Sequence, residues 1–292
     1  MVGDVRTLLH TATHRLHPHS PTARLDVELL LAHTLGWSRT RLLAEPHATL
    51  TPAQQATFAA LLERRLALEP IAYLTGEREF YGLAIHTDAR VLVPRPETEL
   101  LVEVGLAAIR RRLALPAAPI TVVDVGTGSG AISVALAVHT PPTAPVQFYA
   151  SDIAADALAV AAANCARHGV AARVLLRQGD LLDALPTAVR GQLDVLLSNP
   201  PYTILAEVEA NVLAHEPHLA LDGGPDGLAV YRRLLAQVPA WLAPDGDLAL
   251  EIGAGQADAV RALVQAALPQ HHITIHRDLA GHARVVAATP AT

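Results

Sequence analysis

Four consecutive residues, Asn199-Pro200-Pro201-Tyr202, form the most specific chemical string in the chain. Two adjacent prolines remove two N–H donors and fix φ twice, so the segment offers carbonyl acceptors with no backbone donors of its own to pair them. The Pro200 carbonyl and the Asn199 side-chain oxygen can take both hydrogens of a planar NH2 group, while the Tyr202 ring lies against its π face. An amide or exocyclic amine nitrogen is a poor nucleophile because its lone pair is delocalised. Accepting both N–H bonds moves electron density onto nitrogen and aims it, a contribution of orientation and electrostatics. No strong general base is required, since the proton becomes acidic once nitrogen has been alkylated.

A second constellation would hold the reagent. Asp124, Gly126, Thr127, Gly128, Ser129, Gly130 and Ala131 follow an apolar strand-like run, and a glycine-rich turn between strand and helix lets a ligand approach bare backbone beside a positive helix N-terminus. The string satisfies G-x-G-x-x-A, so a dinucleotide site competes. Two features favour S-adenosylmethionine: Asp124, two residues before the first glycine, suits a cationic amino group, and a third glycine stands at 130. Asp152, at the end of the next strand, can accept both ribose hydroxyls, and Asp180, at the end of the third, can reach an adenine amine. Ligands of open α/β sheets sit outside the carboxyl ends of the strands.

These residues need elements to carry them. Beyond Ile120, strand-length apolar runs at 120–125, 146–151, 172–177, 193–198 and 247–252 alternate with helical stretches near 130–139, 155–168, 226–242 and 255–267, which implies a mostly parallel sheet wrapped by helices. The runs 272–277 and 283–288 are joined by too few residues for a parallel crossover and should pair antiparallel. Residues 3–66 read as helices, with start signals at Ser20-Pro21 and Thr51-Pro52. Between Pro70 and Pro96 the pattern turns to short β-rich pieces, Tyr73-Leu74, Phe80-Tyr81 and Val91-Leu92-Val93, suggesting a hairpin linker. A helix should follow from Glu97 to Leu113, stopped by Pro116 and Pro119. The expected division is 1–69, 70–96 and 97–292.

Composition narrows the class. The 292 residues suit about two domains. A net charge of −6, with arginine as the sole basic residue besides histidine, argues against a broad polyanion-binding surface. No apolar run approaches a spanning helix, the N-terminus lacks a basic start and apolar core, and the lone Cys165 excludes an intrachain disulfide and a Cys-based zinc site. A cytoplasmic globular protein with no membrane association is expected.

The chain resembles the HemK/PrmC family, S-adenosylmethionine-dependent methyltransferases that modify the glutamine of the Gly-Gly-Gln motif in class I peptide chain release factors. The similarity covers nearly the whole chain: Pro70 to Gly76, Glu79 to Gly82, Pro94-Arg95-Pro96-Glu97-Thr98-Glu99, the glycine loop and Asn199 to Tyr202. It continues through Glu216-Pro217, Gly223 to Leu228, Glu251-Ile252-Gly253 and Asp278 to Gly281. The resemblance implies a small N-terminal helical domain that helps grip the release factor. It also implies a Rossmann-like α/β class I methyltransferase domain, a seven-stranded sheet with its last strand antiparallel. By motif, Gly126 to Gly130 and Asp152 bind cofactor, Asn199 touches cofactor and glutamine, and Pro200, Pro201 and Tyr202 hold the substrate amide. S-adenosylhomocysteine is the implied product, release factors the implied partner, and a monomer without a stable nucleic-acid partner is expected. Leu181 stands where the family often carries an aromatic beside adenine, so aliphatic packing is expected there. Thr203 replaces the usual Ile, with Ile204 available for its apolar contact.

The same Asn-Pro-Pro-Tyr chemistry would serve an adenine-N6 methyltransferase on DNA or RNA. Against that stand the acidic charge and the lack of an evident duplex-binding or base-flipping module. A non-catalytic S-adenosylmethionine-binding protein has no use for paired acceptors, and a dinucleotide oxidoreductase lacks a downstream acid or base for hydride transfer. His10 with His14, and His271, His272 and His276, read as solvated surface rather than metal ligands. Cys165 reads as core, and Arg110-Arg111-Arg112 as a charged helix end. Arg95, Glu97 and Glu99 either tie the linker down or act over the cofactor pocket.

Overall fold

A computed structural model describes residues 3–115 and 119–291. They divide into two compact units, the first ending at Glu77 and the second beginning at Arg78. The first is helical: α1 (Val5–Leu16), α2 (Ala23–Leu35), α3 (Arg39–Ala44), α4 (Pro52–Leu66) and α5 (Ile71–Thr75). Leu8, Leu16, Leu30, Leu31, Phe58 and Leu62 close its core. Thr51 and Gln54 form a reciprocal capping box at the start of α4, as the Thr-Pro signal predicts. The start predicted at Ser20 moves to Thr22, because the Ser20 hydroxyl donates to the buried Asp26 carboxylate (2.8 Å). Tyr73 and Leu74, expected in a β piece, lie instead in α5, where Pro70 sets the N-terminus, left-handed Gly76 ends the helix and Leu74 joins the helical core.

The second unit opens with the expected hairpin, β1 (Glu77–Phe80) and β2 (Leu83–His86). Val91 to Val93 is not a strand; Val91 and Leu92 line a cavity and the Val93 N–H is turned to Glu216 (3.2 Å). A single 3-10 turn, Pro96–Thr98, leads into α6 (Glu99–Leu113); the stop signal at Pro116 lies outside the described residues. The alternation that follows is β3 (Ile120–Val125), α7 (Ala131–His139), β4 (Val146–Asp152), α8 (Ala155–Arg167), β5 (Val174–Gln178) and β6 (Leu193–Ser198). Then come α9 (Ala210–His215), α10 (Ala229–Trp241), β7 (Leu242–Glu251), α11 (Ala257–Ala267), β8 (His271–Arg277) and β9 (Ala283–Pro290).

Among the described residues β1 and β2 pair with each other, and the other seven strands form one sheet in the order β5-β4-β3-β6-β7-β9-β8. β3 to β7 pair parallel, and β9 runs antiparallel to both β7 and β8. This is the class I methyltransferase sheet that the sequence leads one to expect. Period-two alternation sends Val122 to one face, against α6 and α7, and Val123 and Val125 to the other, where Tyr231, Leu234, Val260 and Val264 of α10 and α11 cover them. Strand order reverses between β3 and β6, so their carboxyl ends diverge into a crevice. Among the described residues no helix is long and apolar enough to cross a membrane.

Candidate active site

The crevice is a cavity of about 510 Å³. Its wall takes Val125 to Ser129 from the turn after β3, Ser151 and Asp152 from β4, Gly179 to Leu181 after β5, and Asn199 and Pro201 after β6. Four strand ends thus deliver four of the predicted segments to one space. Gly126 and Gly128 adopt left-handed backbone (φ +74° and +55°), and a Cβ built on either meets no protein atom within 4 Å. The Ser198 hydroxyl donates to the Val125 carbonyl (2.7 Å), locking the ends of β3 and β6 together.

Asp152 binds this turn as well as facing the cavity. Its Oδ2 accepts from the Gly128 N–H and its Oδ1 from the Ala154 N–H, both at 2.9 Å. A carboxylate has about four acceptor sites, so two remain. Burial raises its pKa, and these backbone bonds oppose the rise.

Asp124 is placed differently from expectation. Alternation along β3 points it to the α7 side, 1% exposed and outside the cavity wall. There Oδ2 accepts from the Thr127 and Ser133 hydroxyls (2.6 and 2.9 Å), so the carboxyl pins the glycine turn to α7 from beneath. The direct contact with a ligand's amino group expected from its place before Gly126 is not presented at the cavity wall, although its Oδ1 is buried without a hydrogen-bond partner. Burial pushes its pKa up to about 6, against the pull of those two hydroxyls. Asp180 does line the cavity, and its carboxylate is ion-paired with Arg233 of α10. Leu181 also lines it, in left-handed backbone (φ +52°) that costs a leucine about 1–3 kcal/mol. The Ser151 hydroxyl donating to its carbonyl (3.2 Å) and the following N–H donating to Gln237 (3.0 Å) hold it there.

The loop after β6 is clamped from several sides. The Asn199 Nδ2 donates to the Thr98 hydroxyl (3.1 Å). Pro200 is buried, and neither it nor Tyr202 belongs to the cavity wall. Tyr202 is half-buried, with its hydroxyl 3.5 Å from Glu251 Oε1 at the end of β7. Gln256 donates to the carbonyls of Tyr202 and Gly227 (3.0 and 3.2 Å) and accepts from the Gly253 N–H (3.0 Å). A Cβ on Gly253 would stand 2.9 Å from the Tyr202 ring, and one on Gly223 would stand 2.8 Å from the Tyr202 backbone. The Gly223 to Leu228 and Glu251 to Gly253 strings are thereby explained: they bring bare backbone against Tyr202. Burial, followed by the Glu251 charge, pushes the Tyr202 pKa up to about 12.

The Pro94 to Glu99 string ties elements together. Arg95 donates to the buried Glu216 (2.6 Å), which also accepts from the Val93 N–H, and Arg95 itself lines the cavity. Glu97 lies 3.9 Å from Arg284 of β9, and Glu99 accepts from the Tyr81 N–H (2.9 Å). Arg95 thus ties the linker to Glu216 at the edge of the cavity, whereas Glu99 anchors the hairpin.

Thr98, Glu216, Glu251 and Arg233 received no chemical role from the sequence. The first three sit inside strings already singled out, and the side-chain hydrogen bonds they make reach partners 49 to 123 residues away in the chain. Arg233 carried no signal. Among the features set aside, His10 and His14 are exposed on α1. Cys165 is buried, its pKa pushed up to about 11, which keeps it a thiol. Arg111 and Arg112 pair with Asp247, and Arg112 also with Asp194.

Comparison with known proteins agrees with this geometry. Residues 7–76 match the family described as PrmC N-terminal domain, and residues 105–218 match Methyltransferase small domain. The chain is 44% identical over 265 residues to a release factor glutamine methyltransferase of Moorella thermoacetica, covering 89% of each chain. It is 44% identical over 267 residues to one of Bordetella pertussis, covering 90% of this chain and 93% of that one. Its fold is similar to the N-terminal domain of human METTL16 in complex with SAH, with TM-score 0.51 and 17% identity over 73% of this chain and 77% of that one.

Proposed function

The chain belongs to the family of release factor glutamine methyltransferases, and on that footing we propose that it methylates the side-chain amide nitrogen of the glutamine in the Gly-Gly-Gln motif of class I release factors, with S-adenosylmethionine as methyl donor. The observation that carries this is Asn199. Its Nδ2 is committed to Thr98, so its Oδ1 is left as an acceptor where β6 meets the cavity.

The cavity fits the donor. Its volume lies within the range of about 300–1,000 Å³ common for small-molecule sites. The turn at Gly126 and Gly128 presents backbone without side chains, and Asp152 keeps two acceptor sites for a ribose. Gly126, Thr127, Gly128, Ser129 and Asp152 would hold the donor, with Gly130, outside the cavity wall and close against Ala161 of α8, shaping the turn; Leu181 would pack on its base, and Asp180 would face the base edge while paired with Arg233. S-adenosylmethionine supplies an electrophilic sulfonium methyl. Asp124 acts through Thr127 and Ser133 by fixing the turn.

Asn199 Oδ1 and the Pro200 carbonyl accept the two N–H bonds of the glutamine amide, Pro201 bounds the place from the cavity side, and Tyr202 bounds it from the other. Holding both hydrogens aims the nitrogen and enriches it in electron density, so positioning supplies most of the acceleration. The loop can do this because Gln256, Glu251 and the close glycine backbones leave Tyr202 little freedom.

The helical segment 1–69 is the part we assign to recognition of the release factor, with 70–96 as linker and 97–292 as the catalytic part. We place the enzyme in the cytoplasm with its release-factor substrate, acting as a monomer without a stable nucleic-acid partner. The test is transfer of labelled methyl from S-adenosylmethionine to a purified, unmodified release factor, beside the same factor with its Gly-Gly-Gln glutamine replaced and beside bulk DNA and RNA. Label on the intact factor alone is expected. Label on nucleic acid would favour the adenine reading, and label on the glutamine-replaced factor would overturn the assignment.

A further inference from the structure

Asn164 of α8 is wholly buried and has no part in the site described above. An asparagine side chain offers one accepting oxygen and one nitrogen with two hydrogens to give, and here the oxygen and both hydrogens are engaged. Oδ1 accepts from the His86 N–H (2.7 Å), while Nδ2 donates to the His86 carbonyl (2.9 Å) and to the Ser129 carbonyl (2.8 Å). The amide thus pairs with both backbone groups of His86, at the end of β2, and gives its remaining hydrogen to the turn that lines the crevice.

The rest of α8 serves the same two segments. Towards the turn, Ala161 backs Gly130, where an added Cβ would stand 3.1 Å from the Ala161 Cβ. Towards the linker, His168 Nε2 donates to the Ala84 carbonyl (2.9 Å), and Val91 packs on Ala157 and Val160. Arg90 to Leu92, Pro94 and Arg95 then wall the same cavity that Gly126 to Ser129 wall. Apolar contacts such as Val91 on Ala157 tolerate sliding, whereas the Asn164 amide admits one orientation. Turned over, it would set Nδ2 against the His86 N–H and Oδ1 against two carbonyls, leaving buried polar groups unpaired.

We propose that Asn164 is a positioning residue that joins the linker to the cofactor-binding turn, so that filling the crevice with cofactor stiffens the end of the hairpin. The inference rests on the placement of S-adenosylmethionine against Gly126 to Ser129 given above. The cofactor meets this turn in the cavity, and Asn164 holds it from α8 through the Ser129 carbonyl. Motion that carries Ser129 away from α8 must break that bond or drag the His86 pair with it. A ligand that disfavours the motion therefore protects His86, although His86 does not line the cavity. The linkage is reciprocal: severing the amide frees the turn, and cofactor affinity falls although Asn164 is outside the cavity wall. From His86 the chain continues to Thr98, the partner of Asn199, so the stiffened segment leads from the cofactor to the reacting end.

Backbone hydrogen exchange followed by NMR, with and without S-adenosylhomocysteine, tests this without a release factor. Amides of β8, at the far edge of the sheet, measure any global stabilisation by the ligand. In the wild type, saturating ligand should slow the Gly128 and His86 N–H groups by about fivefold or more beyond β8. Asn164→Asp keeps an acceptor for the His86 N–H and lacks the amide hydrogens, and Asn164→Ala lacks all three bonds. In both variants Gly128 should still slow while His86 follows β8, and calorimetry should show affinity for S-adenosylhomocysteine reduced by about three- to tenfold. A merely structural Asn164 would lower the thermal stability of the variants and leave wild-type His86 indifferent to ligand. A His86 N–H that ignores the ligand in the wild type while Gly128 responds, or that slows equally in both variants, overturns the proposal, as does unchanged affinity in Asn164→Ala. Ligand binding that leaves Gly128 unaffected overturns the placement of the cofactor, and the inference with it. Should Asn164→Ala fail to fold, as judged by circular dichroism, the wild type and Asn164→Asp decide the matter.

Discussion

One methyl group added at Gly253 should uncouple catalysis from cofactor binding. Gly253 is not in the left-handed region, so alanine is acceptable to its backbone, and the effect of Gly253→Ala is purely steric. The new Cβ would stand 2.9 Å from Cδ2 of the Tyr202 ring and 3.0 Å from Gln256 Oε1. Carbon atoms pack at about 3.5–4.0 Å, so the ring must retreat by roughly 0.6–1 Å. The Gln256 side chain cannot simply swing away, because it holds both the Tyr202 carbonyl and the Gly253 N–H. A misplacement of about 1 Å at a reacting centre can lower the rate about 100-fold, and overpacking of this kind costs about 1–3 kcal/mol of stability. The expected outcome is a fall in kcat of about ten- to a hundredfold. Affinity for S-adenosylmethionine should stay within about twofold by calorimetry, since Gly253 does not line the cavity. A kcat within twofold of wild type, in a variant whose thermal unfolding shows it folded, would refute the clamp on Tyr202. Equal losses in kcat and cofactor affinity would show that the clamp acts on the whole crevice.

Asn199→Ala should abolish transfer while leaving cofactor affinity within about tenfold, one hydrogen bond being worth roughly 1 to 1.5 kcal/mol; full activity would remove its amide-orienting role. Asp152→Ala should weaken cofactor binding by about tenfold or more in calorimetry, since it also frees the Gly128 and Ala154 N–H groups, and unchanged affinity would remove the ribose assignment. Asp124 supplies a pH test. Its pKa of about 6 in the folded state lies above the ordinary 3.8, so between those values the folded protein binds more protons than the unfolded one and stability falls as pH rises. The shift corresponds to about 3 kcal/mol. Denaturant titrations at pH 4.5 and 7 should therefore show wild type losing more stability with rising pH than Asp124→Asn, and parallel behaviour of the two would refute the buried, ionisable placement.

Much of this protein is legible in its residues because the signals are local. The glycine turn follows β3 directly, the Asn-Pro-Pro-Tyr string follows β6, and the alternation of apolar runs with helical stretches is enough to infer a parallel sheet whose strand ends converge. The short joint between 277 and 283 is enough to predict the antiparallel end. Local signals misled where tertiary packing competes: Tyr73 and Leu74 are helical because Leu74 is needed in the N-terminal core, and Val91 to Val93 is not a strand.

What the sequence determined alone is which chemical groups exist and at which strand ends they emerge, since spacing along a strand or turn is covalent. It could not determine what lies behind them. Asp124 belongs beneath the turn because of which face of β3 α7 covers. Tyr202 is held by glycines and a glutamine that follow it by 21 to 54 residues. Asn199 presents its oxygen because Thr98, 101 residues earlier, takes its nitrogen. Those pairings depend on distances through space that only the closed sheet and its packed helices create, and a hydrogen bond acts over about 3 Å irrespective of the length of chain between its partners.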